Sequence, residues 1–213
     1  MGRKQREREA KTAQHCRSAP ARANRLNVAP SSTTGAAPAH NTLADDLVHI
    51  FVDDQNLFWG LVNHGPGLGF RVDFGELLNV VSRDANGHAR AVGSAYIAGV
   101  IPDDDSFWEA ATNQGFVVRR GYLGKNNRSK QDDSHLITEM VSTVFARRGP
   151  STIILVAGDA DYGPPLKRSL EMGWRNEVAF INAGSSKALL SVAHNIRVMN
   201  PSEIELLRHN RRA

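Results

Sequence analysis

The sequence predicts an α/β protein: a doubly wound, mainly parallel sheet with helices on both faces. Three observations carry this. Two runs, residues 47–52 and 152–157, are apolar almost throughout, as expected of strands buried on both faces and not of the alternating strands of a half-exposed sheet. Between and beyond them, short strand-like runs alternate with stretches whose apolar residues recur at helical spacing, which is the signature of a parallel sheet with crossover helices. Finally, both buried runs lead into acidic residues, Asp53-Asp54-Gln55-Asn56 after the first and Gly158-Asp159-Ala160-Asp161 after the second. The carboxyl ends of parallel strands are where open α/β sheets bind ligands.

Element by element, residues 1–42 form a basic arm of Arg, Ala, Ser, Thr and Pro with almost no large apolar side chain. Such a segment cannot bury enough surface to offset its ordering entropy and is expected to be disordered, with a short helix over residues 4–14 as the one local element its composition allows. The domain spans residues 43–200. After the strand at 47–52, Leu57, Phe58, Leu61 and Val62 mark a helix, and Phe74, Leu77, Leu78, Val80 and Val81 a second. A strand is expected over 89–97. A helix over 103–114 follows, with Asp103 to Asp105 at its positive end, then a short strand at 115–118 and a polar, basic loop at 121–130. The clearest helix is 134–147, with Ile137, Met140, Val141, Val144 and Phe145 on one stripe and Arg147-Arg148 suited to its C-terminal end. After the strand at 152–157 come a helix over 166–172 stopped by Gly173, a strand at 177–181, a helix at 185–193, a strand at 196–199 and a terminal helix within the tail, residues 201–213. No internal repeat is present.

The formal charge of +4 is unevenly placed. Residues 1–42 carry eight Lys or Arg against Glu7 and Glu9, while the remainder carries eighteen basic and twenty acidic residues. The basic character belongs to the arm, and points to nucleic acid or another anionic surface as partner. Cys16 is the single cysteine, which excludes an internal disulfide and a thiolate zinc site. No apolar stretch approaches the ~18 residues of a membrane span, and no signal-peptide core is evident, so a soluble, cytoplasmic protein without membrane association is expected.

The acids are the candidate chemistry. Asp53 follows a buried strand and should lie at the strand's mouth, with Asn56 placed to tie the strand-to-helix turn or to contact substrate. Asp159 and Asp161, two apart on a turn that Gly158 helps to tighten, can both point into the crevice; Pro164 and Pro165 suit the first turn of the next helix. Asp132 and Asp133 open the 134–147 helix, and Asp132 shares a face with Glu139. Each cluster has a plain alternative, since acids at helix starts also cap and complement the dipole. The conjunction favours a site: several carboxylates in one crevice repel one another unless a cation or protons intervene. Hard oxygen donors without thiol or obvious His partners suit Mg²⁺ or Mn²⁺. Such a cation would let a phosphodiester approach and would activate water.

These motifs resemble a known family. Phe51-Val52-Asp53-Asp54-Gln55-Asn56-Leu57-Phe58-Trp59 is similar to the first motif of NYN domains, a branch of the PIN-like nucleases. Lys130-Gln131-Asp132-Asp133 resembles the second, a Lys-Gly-x-Asp pattern, and Leu155-Val156-Ala157-Gly158-Asp159-Ala160-Asp161-Tyr162, with Pro164 and Leu166, the third, strand-Gly-Asp-x-Asp-aromatic. The resemblance covers about residues 45–200. It implies a PIN-like doubly wound domain and metal-dependent ribonuclease activity, with Asp53, Asp133, Asp159 and Asp161 as catalytic and metal-binding acids; Asp54, Asp132 and Glu139 are auxiliaries, Glu139 standing where many relatives have a second helical Asp. The sequence departs from the pattern at Asp54 and Gln131, each in place of a Gly, at Gly163-Pro164-Pro165, and at His194-Asn195 in place of Ala-Asp.

Single-stranded RNA is the expected partner. Lys125, Arg128 and Lys130 in the basic loop, together with Asn56, are the candidate substrate contacts, with Arg119, Arg120 and Tyr122 nearby; cations beside an acidic metal site would hold flanking phosphates. PIN-like domains often pair, so a homodimer is a partner to test for. Two other readings compete: a catalytically weak RNA-binding or scaffold NYN domain, and a phosphatase of the haloacid dehalogenase type. The second requires an Asp-x-Asp after the first strand and a lysine before the late acidic loop, and the sequence has neither.

Overall fold

The computed structural model describes residues 47–63, 70–100, 105–123, 129–147, 149–181 and 186–210. The chain separates into two units, Met1–Ala39 and His40–Ala213. The first unit, like the whole basic arm, lies outside the described residues.

The described elements of the second unit run β1 (Val48–Asp53), α1 (Asp54–Asn63), β2 (Phe70–Val72), α2 (Phe74–Ser82), β3 (Val92–Gly99), α3 (Asp105–Asn113), β4 (Phe116–Arg120), β5 (Tyr122–Leu123), β6 (Ser129–Lys130), α4 (Asp132–Ala146), β7 (Thr152–Val156), a 3₁₀ turn (Ala160–Tyr162), α5 (Gly163–Glu171), β8 (Arg175–Phe180), α6 (Lys187–Leu190), β9 (Asn195–Val198), α7 (Pro201–Leu207) and β10 (Arg208–Asn210). Six strands form one parallel sheet in the order β4-β3-β1-β7-β8-β9. The chain leaves β1 toward β3 and β4, returns to the other side of β1 as β7, and continues outward to β8 and β9. The winding therefore reverses between β1 and β7, which defines the crevice at their carboxyl ends as the topological switch point.

Every residue of β1 and β7 is buried, as the continuous apolar runs require. Their side chains alternate between two cores. Ile50, Val52, Ile154 and Val156 pack with Leu57 and Leu61 of α1, Leu77 of α2, Trp108 of α3 and Ile204 of α7. Phe51, Ile153 and Leu155 pack with Leu136 and Met140 of α4, Leu166 of α5 and Leu189 of α6. Helices thus cover both faces, and the α/β expectation holds. No helix among the described residues is long and apolar enough to cross a membrane.

Several local expectations are corrected. The terminal helix ends at Leu207, and the next three residues pair antiparallel with β2, an edge strand the sequence pattern does not reveal. The ends of the polar 121–130 loop form a second antiparallel pair, β5 with β6. The buried stripe of α4 is Leu136, Met140, Thr143 and Val144, with Phe145 58% exposed: the face turned to the core lies to one side of the expected row of Ile137, Val141 and Phe145, and the helix starts two residues earlier than expected, at Asp132. Arg147 does not simply complement a helix end; its Nη1 donates to Nε2 of buried His49 at 2.9 Å, while His49 Nδ1 meets Ser94 Oγ at 2.7 Å. Gly173 does end α5, in the left-handed region at φ 81°.

Candidate active site

Asp53 is the last residue of β1 and only 4% exposed. Strand alternation turns it to the side of Phe51, toward α4 and α5. Both of its oxygens accept hydrogen bonds. Oδ1 takes the backbone N–H of Asn56 at 3.0 Å, and Oδ2 takes the Asn56 side-chain amide at 2.7 Å and the Tyr162 hydroxyl at 3.1 Å. The other end of the Asn56 amide accepts the Gly158 N–H at 3.2 Å. Asn56 therefore stitches the exit of β1 to the exit of β7, across the switch point.

Tyr162 is fully buried, and its hydroxyl also lies 3.2 Å from Asp133 Oδ1. A hydroxyl carries one proton, so it can donate to one carboxylate at a time and holds the two acids together by sharing that donor. Burial and the charges of Asp53 and Asp133 push the phenol far above its ordinary range, which keeps it a neutral donor. By sequence Tyr162 stands only as the aromatic of a motif. The signal for its larger part is its polar tip directly after Asp159 and Asp161, since a buried Tyr hydroxyl needs a partner.

The second acidic motif arrives at the start of α4. Gln131 adopts φ 70°, the left-handed conformation in which Gly is at ease; this is the position where the family pattern has Gly. That turn delivers Asp132, 7% exposed, and Asp133. Burial pushes the Asp133 carboxyl up to about 6, and the charges of Asp53, Asp132 and Asp159 add to the effect. Asp53 is also raised, chiefly by burial, against the opposing pull of its hydrogen bonds. Asp54, the other substituted Gly, is 2% exposed and begins α1. Its carboxyl is pushed up to about 7 by burial and then by Asp53 and Asp132, and its Oδ1 has no hydrogen-bond partner among the described residues. Room for this side chain comes from Gly99 at the end of β3: a Cβ there would stand 2.5 Å from the Asp54 Cβ.

Asp159 is exposed and caps the 3₁₀ turn, its Oδ1 accepting the Asp161 N–H at 3.1 Å. The capping role and nearness to the other acids coexist in this residue, whose charge reaches Asp133. Asp161 is exposed on the same turn. Gly158 is not among the glycines with positive φ; its use is the N–H given to Asn56. Glu139 is held by Arg119 in a 2.6 Å ion pair, which neutralises the charge an auxiliary acid would lend. Lys125 and Arg128 lie outside the described residues, as does the side chain of Lys130.

Asp53, Asp54, Asp132, Asp133 and Asp159 thus form one electrostatically coupled group at the switch point. Its mutual repulsion favours a cation among the carboxylates, and its donors are hard oxygens, so the chemistry fits Mg²⁺ or Mn²⁺. Among the described residues, however, no three His, Cys, Asp or Glu side chains are already close enough to hold one ion; a hydroxyl, that of Tyr162, links Asp53 and Asp133.

The family model of the NYN domain matches residues 47–200, and the chain belongs to that family, within the PIN-like superfamily. A solved structure of a protein of unknown function from Vibrio parahaemolyticus is similar in fold, with a TM-score of 0.58 at 18% identity, over 74% of this chain and 94% of that one. No curated protein matches the sequence significantly.

Proposed function

We propose that this NYN domain is a metal-dependent ribonuclease that hydrolyses phosphodiester bonds of single-stranded RNA, with Asp53, Asp133, Asp159 and Asp161 as its acids. The observation that supports it most is the coupled group of carboxylates at the switch point, three of them raised by burial and by one another. Asp53, Asp133 and Asp159 would hold Mg²⁺ or Mn²⁺; such a cation, when bound, neutralises the acids, activates water and stabilises the leaving oxygen.

The chain's own residues do the rest. Asn56 and Tyr162 hold Asp53 from two sides, so its carboxylate is oriented before substrate arrives. Asn56 acts through Asp53, because its amide is bonded to protein at both ends. Asp133, raised to about 6 by burial and the neighbouring acids, would bind the cation in competition with a proton. Asp159 and Asp161, exposed on the turn after β7, stand at the mouth where a phosphodiester enters. Lys125, Arg128 and Lys130 directly precede the acids of α4 in sequence and would hold flanking phosphates.

A binding-only NYN domain is the second reading, favoured by the absence of three converged ligands among the described residues. Mn²⁺-dependent cleavage of a single-stranded RNA separates the two. The wild type should cleave, and Asp53→Asn and Asp159→Asn should each lose most of that activity. RNA binding without cleavage, or equal residual cleavage in all three proteins, refutes the nuclease. Hydrolysis of a small phosphomonoester with no RNA cleavage would favour a phosphatase.

A further inference from the structure

Beside the acids lies a cavity that the proposed hydrolysis does not use. It measures about 300 Å³ and opens between α1 and the carboxyl ends of β7 and β8, with Gln55, Asn56, Trp59, Gly158, Phe180 and Ile181 in its walls. That size is at the lower end of small-molecule sites, about 300–1,000 Å³.

Asn56 is a wall shared with the acid cluster. Its amide touches Asp53 at 2.7 Å while the residue lines the cavity, so the cavity begins one side chain from the place where a scissile phosphate would be held. None of the described residues lining it is charged. An anionic occupant would find no cation among those described residues and would face the neighbouring carboxylates, so the cavity suits a neutral group.

The walls describe that group further. Trp59 is 54% exposed, yet its indole is braced edge-on by Phe58 at 5.5 Å, and Phe58 stacks on Phe70 at 5.9 Å. A flat apolar face is thus presented to solvent and held in place by the core. Gln55 adds an amide with both donor and acceptor capacity. The inner end is closed by the contact of α1 with Ile181, so tight that a Cβ on Gly60 would stand 2.9 Å from the Ile181 Cβ. A flat, neutral ring with a polar edge, tethered to a phosphodiester, is a nucleobase.

We infer that this cavity is a nucleobase subsite, which takes the base of a nucleotide flanking the bond to be cut, stacked on Trp59 and met at its edge by Gln55. The identity of the polymer rests on the ribonuclease reading; the stacking does not.

The test uses the full chain and short single-stranded RNAs in which one nucleotide at a time is made abasic. Binding is measured in EDTA by fluorescence anisotropy of RNA labelled at one end, a signal that does not depend on Trp59, and cleavage separately with Mn²⁺. Trp59→Ala should weaken binding of intact RNA about 5- to 150-fold, the range of alanine substitution under a stacked base, and Trp59→Phe should keep most of the affinity. One abasic position should weaken binding to the wild type, and that penalty should vanish in Trp59→Ala. Cleavage by the wild type with an abasic penalty unchanged in Trp59→Ala overturns the subsite and leaves the nuclease standing. A penalty that depends on Trp59 without any cleavage supports the subsite and refutes the nuclease. No penalty at any position overturns the subsite.

Discussion

Replacing Asp54 by Asn should make the domain more stable at alkaline pH and leave it unchanged in acid. Asp54 is 2% exposed, its Oδ1 lacks a hydrogen-bond partner among the described residues, and burial beside Asp53 and Asp132 pushes its carboxyl from 3.8 to about 7. The native state therefore binds this proton more tightly than the unfolded chain does. Stability is undiminished below the unfolded value, falls as pH rises toward 7, and levels off above it. At about 1.4 kcal/mol per pH unit between the two values, ionising Asp54 in the native state costs on the order of 4 kcal/mol. Asn has the same shape and does not titrate. Urea denaturation of wild type and Asp54→Asn, in EDTA, at a series of pH values between about 4 and 8.5, gives the difference directly, and other titrating groups largely cancel in it. The variant should match the wild type near pH 4 and exceed it by a few kcal/mol at pH 8. A difference that does not vary with pH, or a less stable variant at pH 8, would refute the reasoning, because it would mean that the native carboxylate is ionised and well paired.

Further outcomes rest on the same geometry. Gly99→Ala should lose at least the ~1–3 kcal/mol of an overpacked core, because its Cβ would press on the Asp54 Cβ; Asp54→Gly in the same chain should restore most of it, and simple additivity in the double-mutant cycle would exclude the contact. Gln131, at φ 70°, loses roughly 1–2 kcal/mol to its left-handed backbone. Gln131→Gly should therefore be stabilising by up to about 1 kcal/mol after the entropy of Gly is allowed for, with Gln131→Ala no better than wild type; equal stability of the Gly and Ala variants would contradict this. Tyr162→Phe should lose about 1.5–3 kcal/mol, the value of a hydrogen bond to a charged group, and an unchanged melting temperature in EDTA would show that the bridge to Asp53 and Asp133 is not made. His49 is lowered to about 4 by burial and by Arg147, so the stability it confers is present above its ordinary 6.5 and is lost as pH falls toward 4; His49→Gln should flatten the acid limb of the stability profile, and an unaltered limb would assign it to other groups.

The parts of the fold legible in the sequence are those written in local pattern. The continuous runs that form β1 and β7, the helical stripe in α1 and α2, and the left-handed stop at Gly173 all depend on a few neighbouring residues. The edge pair of β2 and β10 is not legible, because each strand is three residues long and its pairing is with a distant segment. The stripe on α4 is misread at Phe145 because apolar residues stand on more than one side of this helix, and which side is buried is set by its packing through Leu136, Met140 and Val144 against residues distant in the chain. Glu139 looks available as an acid; its partner Arg119 lies on β4, and nothing within α4 announces it.

The sequence by itself determined that buried parallel strands would end in acids, since an apolar run long enough for a strand must stop where charge begins, and burying that charge is costly. It also determined which acids stand in family motifs. Only the tertiary structure decided that they meet. The strand order places β7 directly beside β1 and so brings the exit carrying Asp159 to the exit carrying Asp53. Packing of α4 and α5 on one face then lets Tyr162 reach Asp53, 109 residues away, and Asp133, 29 residues away. The tolerance for a charged Asp54 is likewise set by Gly99 on the neighbouring strand. Such relations join residues that are far apart in the chain, and periodicity describes only neighbours along it.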